Sequence, residues 1–449
     1  MFLCRNPEAR SRRCGSAAAC VSRDWLDITE GKTMQRRDLL SLGSGLALGG
    51  MLSSAHAATG RGEDRPVGRQ LSARDFGVVG DGRADDTHAL QRAFDAALLD
   101  EPPGMLTIPP GEYRVSRPLR IAPRANVTRL SGIVAHGARL ISAIDNGASV
   151  VELVSNATTR FILVEGLEIR GSGRDGHGIS IACEAEGRYF YNFCLRDIVV
   201  QGCGGDGCRL IGNVFEGQLV NCYFRDNKGN GITFAHGRGG GILSAIHVFG
   251  SVFGNNGEHG AAMVNRCYDV SFHGCYFLLN RQFGLLADNG CTLLSNCGFE
   301  NNHQGARDFS QGDAGAMIKN FGTMIGCTAY SVYQQTHLVR SFIISHLVMV
   351  GCTGFGGGKA KQAGLARLNG SREKAQITLL GCTGRVDTEN GFEPIEIGGN
   401  GSGIRLGSDY RSRNLPRLGE YRLWVDGRGR LRIKKGDPQS DEDGALVGA

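Results

Sequence analysis

Five acid–base residues lie between positions 197 and 273 and could carry a reaction: Asp197, Glu216, His247, Asp269 and His273. Two carboxylates on either side of a glycosidic bond suit hydrolysis, with a separation of about 5 Å favouring retention and about 6.5–9.5 Å favouring inversion. A histidine titrates near neutral pH, so it can abstract a proton beside a substrate carboxylate. The residue types leave hydrolysis by two carboxylates and proton abstraction by a histidine both open.

A second set of polar residues is interleaved with the first and is predicted to bind substrate: Glu168, Arg170, Gln201, Gln218 and Ser271. Arg170 could neutralise a substrate carboxylate. The acidic residues could instead bind Ca²⁺, which takes carboxylate oxygens readily. The chain has no His and Cys spacing of the zinc-site type. We therefore predict no metal ligands and no required cofactor, with Ca²⁺ as the alternative use of the acidic residues.

A recurring two-residue motif indicates how these side chains are positioned. A small or polar residue followed by Cys or Ser recurs at intervals of 19 to 31 residues, which is typical of a solenoid repeat. An apolar residue lies three positions before each motif, so the chain must bend at the small residue for both to face inward. The motifs are Gly171-Ser172, Gly202-Cys203, Asn221-Cys222, Gly250-Ser251, Gly274-Cys275, Asn296-Cys297, Gly326-Cys327, Gly351-Cys352 and Gly381-Cys382.

Two further columns of residues support the solenoid. Four successive repeats share a Phe-x-x-Asn pattern, which predicts stacked Phe rings in the core and a hydrogen-bonded Asn ladder at a turn. The Cys residues are predicted to form a column of buried free thiols, with bridges such as Cys203 to Cys208 as the alternative. The sequence predicts an all-β fold, a right-handed parallel β-helix of about nine coils. The repeated pairs are Phe224/Asn227, Phe253/Asn256, Phe277/Asn280 and Phe299/Asn302.

Alternation within the strand before each bend predicts which side chains face solvent. The catalytic and substrate-binding candidates all fall at outward positions of the first five coils, so we expect one polar face. Asp197 and Glu216 are expected about 5 Å apart, and Glu216 and Asp269 about 10 Å apart. In later coils the outward positions are apolar, which predicts a cover formed by the C-terminal segment or a second copy of the chain. These apolar residues are Ile325, Val348, Val350 and Leu380.

The first 57 residues are predicted to be a leader. Residues 34–57 contain the pair Arg36-Arg37, a short apolar run and the sequence Ala55-His56-Ala57, which is similar to a twin-arginine export signal with its cleavage site. Residues 1–33 could stem from a misplaced start codon. The apolar run is too short to span a bilayer, so we expect no stable membrane insertion. The expected location is periplasmic or extracellular.

Charge argues against one class of partner. The whole chain has a formal net charge of +6. The leader contains eight Lys and Arg against five Asp and Glu, which leaves +3 for the rest. Positive and negative residues are too evenly balanced for the strongly basic surface that binds nucleic acids, so we expect no nucleic-acid partner.

Residues 74–115 resemble a known family. Asp-Phe-Gly at 75–77, Gly-Asp-Gly at 80–82, Asp-Asp-Thr at 85–87 and Pro-Pro-Gly at 109–111 are similar to the opening of the pectate-lyase-like family with rhamnogalacturonase and epimerase relatives. The resemblance implies a β-helix and extracellular work on polysaccharides. It also implies that Asp85 and Asp86 are structural. One of residues 85–87 is expected to cap a helix whose apolar face is Leu90, Ala93, Phe94, Ala97 and Leu98.

The sequence predicts an N-terminal cap and first coils over 58–150, a parallel β-helix over 151–400, and a C-terminal hairpin and tail over 401–449. The hairpin is expected within 421–434. The predicted function is secreted cleavage or epimerisation of an acidic, uronate-containing polysaccharide, by a lyase, a glycoside hydrolase or an epimerase. The alternative is a non-catalytic carbohydrate-binding or surface-assembly protein. A homo-oligomer through the apolar face of the later coils is the other expected partnership.

Overall fold

The chain folds as a right-handed parallel β-helix. The computed structural model describes residues 69–123, 125–155, 157–237, 241–265, 267–288, 290–302, 314–319, 321–331, 337–341, 346–356, 364–369, 376–389, 395–397, 404–405 and 415–448. The predicted leader lies outside these described residues. Three sheets run along the solenoid, and the central coils contribute one strand to each. The predicted all-β solenoid of about nine coils is confirmed.

The three long sheets are numbered in the order in which the chain enters them. Sheet I contains Arg69–Ser72, Gly104–Thr107, Ser131–Val134, Thr159–Arg160, Ile162–Glu165, Phe190–Arg196, Val214–Val220, Leu243–Phe249, Cys267–His273, Gly290–Ser295, Phe321–Ile325, His346–Val350, Gln376–Leu380, Ile395–Ile397 and Ile404–Arg405. Sheet II contains Asp81–Asp85, Gly111–Val115, Ala138–Ser142, Glu168–Arg170, Val199–Gln201, Tyr223–Arg225, Val252–Gly254, Tyr276–Leu278, Gly298–Glu300, Thr328–Ser331 and Thr353–Gly356. Sheet III contains Leu119–Ile121, Val151–Val154, Ile179–Cys183, Cys208–Gly212, Ile232–Ala235, Ala261–Val264, Leu285–Ala287, Ala314–Ile318, His337–Ser341, Gly364–Asn369 and Arg385–Glu389.

The bend between sheets I and II has one backbone conformation in nine successive coils. Its first residue has a left-handed backbone, which Gly, Asn and Asp adopt at the lowest cost. The second residue points into the core; where it is Cys or Ser, its side chain bonds a backbone carbonyl, as Cys222 Sγ does at 3.4 Å from Leu195 O. The prediction that the residue before each Cys bends the chain is confirmed. The left-handed residues are Gly166, Asp197, Asn221, Gly250, Gly274, Asn296, Gly326, Gly351 and Gly381.

The predicted alignment of the first two coils was wrong. Val200 pairs with Phe224, so Gly202-Cys203 follows the strand of sheet II instead of preceding it. The Cys203 N–H donates to Asn227 Oδ1, which aligns this pair with the bend between sheets II and III. Gly171-Ser172 occupies the same bend one coil earlier. The residues of the first two coils that truly match Asn221-Cys222 are Gly166-Leu167 and Asp197-Ile198.

The predicted Phe stack and Asn ladder are both confirmed. Phe253 and Phe277 stack with ring centroids 5.0 Å apart, and Phe277 and Phe299 with centroids 4.8 Å apart. The Asn256 amide donates to Asn280 Oδ1 at 3.0 Å, and the Asn280 amide continues to Asn302 at 2.8 Å. These buried amides also bond backbone groups of the turns, so they replace the water that a surface turn would use.

The cysteines in the described part of the chain are free thiols, as predicted. All eleven whose side chains are described are unpaired, including both members of the alternative pair Cys203 and Cys208. Burial raises the pKa of Cys183 to about 11. Burial likewise raises the pKa of Cys222 and of Cys267 to about 12. Thiols held protonated inside a core are poor nucleophiles.

We expect the folded chain from Ala58 to resist alkylation almost completely. Iodoacetamide at neutral pH should modify few thiols in native protein and all of them in guanidinium, as counted by mass spectrometry. Cys194, which is half-buried on sheet I, is the internal comparison and should react first among the described thiols. Fast labelling of Cys222 or Cys275 in native protein would contradict a closed core.

The N-terminal helix matches its prediction. It spans Thr87–Leu98, and its predicted apolar face is buried against the first strands of sheets I and III. Asp86 occupies the N-cap position but bonds elsewhere: its carboxylate accepts the N–H groups of Val79 and Gly80. Asp85 accepts the Thr87 N–H instead. Both aspartates are therefore structural.

A short antiparallel sheet follows the solenoid. It consists of Arg417–Leu418, Tyr421–Val425, Leu431–Lys435 and Ala445–Leu446. The middle two strands form the predicted hairpin. Asp426 accepts bonds from the guanidinium groups of Arg430 and Arg432, which holds its turn. None of the helices among the described residues is long and apolar enough to cross a membrane.

Candidate functional site

The outward face of sheet I carries four rows of side chains that run along the solenoid axis, and the last of them is Arg196, Val220, Phe249 and His273. The first, which we call the aromatic row, is Arg160, Tyr191, Phe215, Ser244 and Tyr268. The second, the bend row, is Phe161, Asn192, Glu216, Ala245 and Asp269, and all five have left-handed backbones. The third, the histidine row, is Cys194, Gln218, His247 and Ser271. Neighbouring members of a row lie about 4.8 Å apart.

Two histidines meet at one hydroxyl on this face. Ser271 lies directly beside His247, and its Oγ is 2.7 Å from His247 Nδ1 and 2.9 Å from His273 Nε2. Ser271 is only 5% exposed, so its hydroxyl serves the two rings and is closed to a bulky ligand. The His273 ring stacks on Phe249 with centroids 5.0 Å apart. Each imidazole keeps one ring nitrogen outside these bonds.

Burial and the charge of His247 lower the pKa of His273 below its ordinary value. The serine has a single proton, so it can donate to one ring and accept from the other. A proton on His247 disfavours a second proton on His273. When the His273 Nε2–H donates to Ser271 and the Ser271 O–H donates to His247 Nδ1, His273 Nδ1 is left free to accept a proton and the His247 Nε2–H is left free to donate one.

Glu216 and Asp269 share the bend row, separated by Ala245. The strand register confirms their predicted offset of two coils, which at the usual rise corresponds to about 10 Å between backbones. Both side chains are exposed. Their left-handed backbones let two consecutive residues, such as Phe215 and Glu216, face outward. Among the described residues, no group of three or more His, Cys, Asp and Glu is arranged to hold a metal ion.

Asp197 does not belong to this row, and its predicted distance from Glu216 was wrong. It is the left-handed residue of the bend between sheets I and II, aligned with Asn221. The Asn221 amide donates to Asp197 Oδ1 at 2.6 Å. Such a contact between neighbouring coils is expected of a residue in the bend between sheets I and II. The catalytic role of Asp197 stays a prediction.

Three predicted binding residues lie on sheet II instead of sheet I. Glu168, Arg170 and Gln201 follow the bend, because the predicted corner of these coils is the next bend along the chain, between sheets II and III. Glu168 forms an ion pair with Arg139, whose Nε is 2.8 Å away, and accepts a hydrogen bond from the Gln201 amide at 3.1 Å. Arg170 is exposed beside Gln201. The expected single polar face is therefore two faces, and only Gln218 and Ser271 of the binding set share sheet I with the histidines.

The aromatic row was missed by the sequence analysis. Counting back from each bend, strict alternation assigns every second residue of the strand to the surface. The left-handed residue of the bend row breaks this alternation, so that the residue before it also faces outward. Tyr268 is 42% exposed and lies one residue before Asp269. Tyr189, also exposed, adds a ring 5.9 Å from that of Phe215. One sequence pattern could have revealed the row: in three coils an aromatic residue directly precedes an Asn, Glu or Asp.

The apolar half of sheet I lies where it was predicted. Ile325 and Val348 face outward and are 43% and 39% exposed in the single chain. Phe321 extends this surface and stacks on His346 with centroids 5.1 Å apart. Oligomerisation through it stays a prediction.

Three family models match separate parts of the chain. A right-handed β-helix region model matches residues 146–322. A rhamnogalacturonase A/epimerase, pectate-lyase-like model matches residues 70–132, in agreement with the resemblance drawn from residues 74–115. A capsule depolymerase model matches residues 358–449.

Two curated relatives come from Azotobacter vinelandii. Alginate lyase 7 is 26% identical over 223 residues, which is 45% of this chain and 24% of that protein. Mannuronan C5-epimerase AlgE3 is 25% identical over 255 residues, which is 50% of this chain and 12% of that protein. The matched segments thus span about a quarter and about an eighth of these relatives.

Two solved structures share the architecture at low identity. ORF18 of Geobacillus virus E2 has a TM-score of 0.51 and 18% identity, covering 82% of this chain and 69% of that one. The enzymatically active domain of tailspike protein 2 from bacteriophage CBA120 has a TM-score of 0.52 and 13% identity, covering 71% of this chain and 48% of that one. The chain is a right-handed parallel β-helix whose N-terminal part matches the pectate-lyase-like model.

Proposed function

We propose that this chain is an exported enzyme that cleaves or epimerises an acidic, uronate-containing polysaccharide on the outward face of sheet I. The observation that carries the proposal is the His247–Ser271–His273 cluster, in which the pKa of His273 is lowered. The two curated relatives, an alginate lyase and a mannuronan epimerase, support the same class of substrate and reaction.

The chemistry begins with proton abstraction from the sugar carbon next to the carboxylate. His273, held neutral, takes the C5 proton, and the electron pair moves toward the carboxylate. In a lyase, that pair then forms the C4–C5 double bond, the C4–O4 bond breaks, and O4 receives a proton from His247. In an epimerase, the same carbanion is reprotonated at C5 from the opposite side by the proton of His247. As His247 gives up its Nε2 proton, Ser271 can pass the Nε2 proton of His273 on to His247 Nδ1, so neither ring is left charged.

A second candidate is hydrolysis by Glu216 and Asp269. Their backbones are about 10 Å apart, and side chains leaning toward one another across Ala245 bring the carboxyl groups into the range of about 6.5–9.5 Å that suits inversion. One carboxyl group would protonate the leaving oxygen, and the other would activate water. A third outcome, binding without chemistry, is favoured by the exposed rings of the aromatic row.

The test is turnover of a polysaccharide panel by the chain from Ala58, with and without Ca²⁺. We expect ultraviolet absorbance from new unsaturated uronate ends, or C5 inversion by NMR, on an acidic polymer. Reducing ends without that absorbance would establish the hydrolase, and Glu216→Gln should then abolish them while His273→Ala does not. Binding to one polymer without any product would establish the binding protein.

The apolar half of sheet I gives a prediction about assembly. If copies of the chain pair through it, Val348→Lys should lower the mass measured by light scattering, because the new charge would be buried in the contact. Lys at the exposed position Thr328, which lies on sheet II and so on another face, is the matched control. An unchanged mass in both variants at every concentration would contradict an interface there.

A further inference from the structure

The start of the sheet I strands contains an arginine with no carboxylate partner among the described residues. Arg160 lies with its guanidinium 5.1 Å from the ring centre of Phe161 and 6.0 Å from that of Tyr191. Its one hydrogen bond to another described side chain is to the Tyr191 hydroxyl, at 3.3 Å. Its Nε is buried without a partner. A guanidinium held by rings, with donors left over, is preorganised for an anion.

Further aromatic rings lie on this face in the coil of the arginine and in the next two coils. Phe161 is 37% exposed and adopts a left-handed backbone, which a bulky residue rarely does and which turns its ring outward. Tyr189 is also exposed, and Phe215 is half-buried beside it. A pyranose ring presents apolar C–H faces to such rings and hydroxyl groups at its edge.

We propose that Arg160, with Phe161, Tyr191 and Phe215, is a binding subsite for an anionic sugar residue of the polymer. The inference deepens the proposed function and rests on it for the substrate class. The positive charge of Arg160 favours an acidic sugar over a neutral one, because a neutral sugar would leave the guanidinium without an anion. The bound group is a uronate, whose carboxylate pairs with the guanidinium while its ring stacks on the aromatic side chains.

The position of the subsite sets the direction and length of the ligand. Arg160 and Tyr268 are the two ends of the aromatic row, four coils or about 19 Å apart. The rise of about 4.8 Å per coil is similar to the length of one sugar in an extended chain. A polymer lying along the axis therefore reaches from Arg160 to the histidine cluster only when it has several sugars.

The experiment measures equilibrium binding by calorimetry, in a His273→Ala background so that ligand is not consumed. Ligands are oligomannuronates and oligogalacturonates of increasing length, with cello-oligosaccharides as neutral probes. Arg160→Gln is expected to weaken binding of the long acidic oligomers by about tenfold or more, as loss of a charged hydrogen bond does. Arg160→Lys should recover part of the affinity, and binding of neutral probes should change little.

The matched control is Arg196→Gln, which removes a guanidinium from the same face, one paired with Glu165 at 3.7 Å. It should leave binding unchanged, and thermal unfolding should confirm that both variants are folded. Equal losses in the two arginine variants would overturn the subsite, as would equal affinity of Arg160→Gln and its parent for the long acidic oligomers. Binding that depends on Arg160 without turnover by the wild-type chain would refute the enzyme and keep the subsite.

Discussion

His273→Ala should lower kcat on the acidic polymer by about 10²–10⁴-fold, the range that general base catalysis supplies. The substituted ring is the one whose pKa is lowered and which stacks on Phe249, so it is both neutral and fixed in orientation. The measurement is steady-state turnover, followed by the absorbance of unsaturated ends or by NMR of C5 inversion. KM should change less than kcat, because the ring acts mainly in the transition state.

The matched control is His88→Ala, which removes an exposed histidine from the N-terminal helix. It should leave turnover intact. Loss of activity in Glu216→Gln with full activity in His273→Ala would instead assign the reaction to the carboxylates. Ser271→Ala tests the link between the rings: as a positioning residue, it should lower kcat less than either histidine and alter the pH profile.

The pH dependence has a definite sign. The pKa of His273 lies below 6.5, so the base stays neutral as the pH falls through that value. The acid limb of kcat/KM should therefore lie below 6.5. In His247→Gln, the charge that opposes a proton on His273 is gone, so the limb should move to higher pH. A limb that does not move would show that the two rings titrate independently.

The solenoid was predictable from Asn221 onward because the same residue types recur at each bend. The bend requires a left-handed residue and then a side chain that fits the core. Gly-Cys, Asn-Cys and Gly-Ser satisfy this, and so does Asp197-Ile198, which carries no signature. Gly202-Cys203 has the same residue types but forms the bend between sheets II and III. For this reason Glu168, Arg170 and Gln201 were assigned to the wrong face.

The candidate site was only partly predictable. Gln218, His247, Ser271 and His273 follow simple alternation back from a correctly assigned bend, so their shared face could be predicted. The hydrogen bonds that join His247, Ser271 and His273 depend on rotamers, which alternation does not specify. The aromatic row was hidden because the bend row adds an outward residue to each strand.

Removing one amide from the Asn ladder should have the largest effect on stability. Asn256→Ala leaves the Asn227 N–H and the Phe224 carbonyl without their side-chain partner, in a core where Asn256 is fully buried. Each orphaned buried group costs about 1–3 kcal/mol, so the free energy of unfolding should fall by at least about 2 kcal/mol. Urea unfolding followed by circular dichroism measures it.

Asn255→Gly is the matched control, because the neighbouring residue is exposed and left-handed, a backbone that Gly accepts. It loses one surface hydrogen bond, to Asp226, and should cost little. Comparable losses at positions 255 and 256 would contradict a special role for the buried ladder.

Asn256→Asp keeps the shape of the side chain but changes its hydrogen-bonding groups, so it tests the two contributions to the ladder separately. Below about pH 4 the new carboxyl is protonated and can still accept one bond and donate one. Burial raises the pKa of such a carboxyl in the folded chain, so the native state binds the proton more tightly than the unfolded state. Stability should therefore fall as the pH rises from about 4, the ordinary unfolded value. A urea midpoint that is independent of pH, relative to the parent chain, would mean that the ladder admits water at this position.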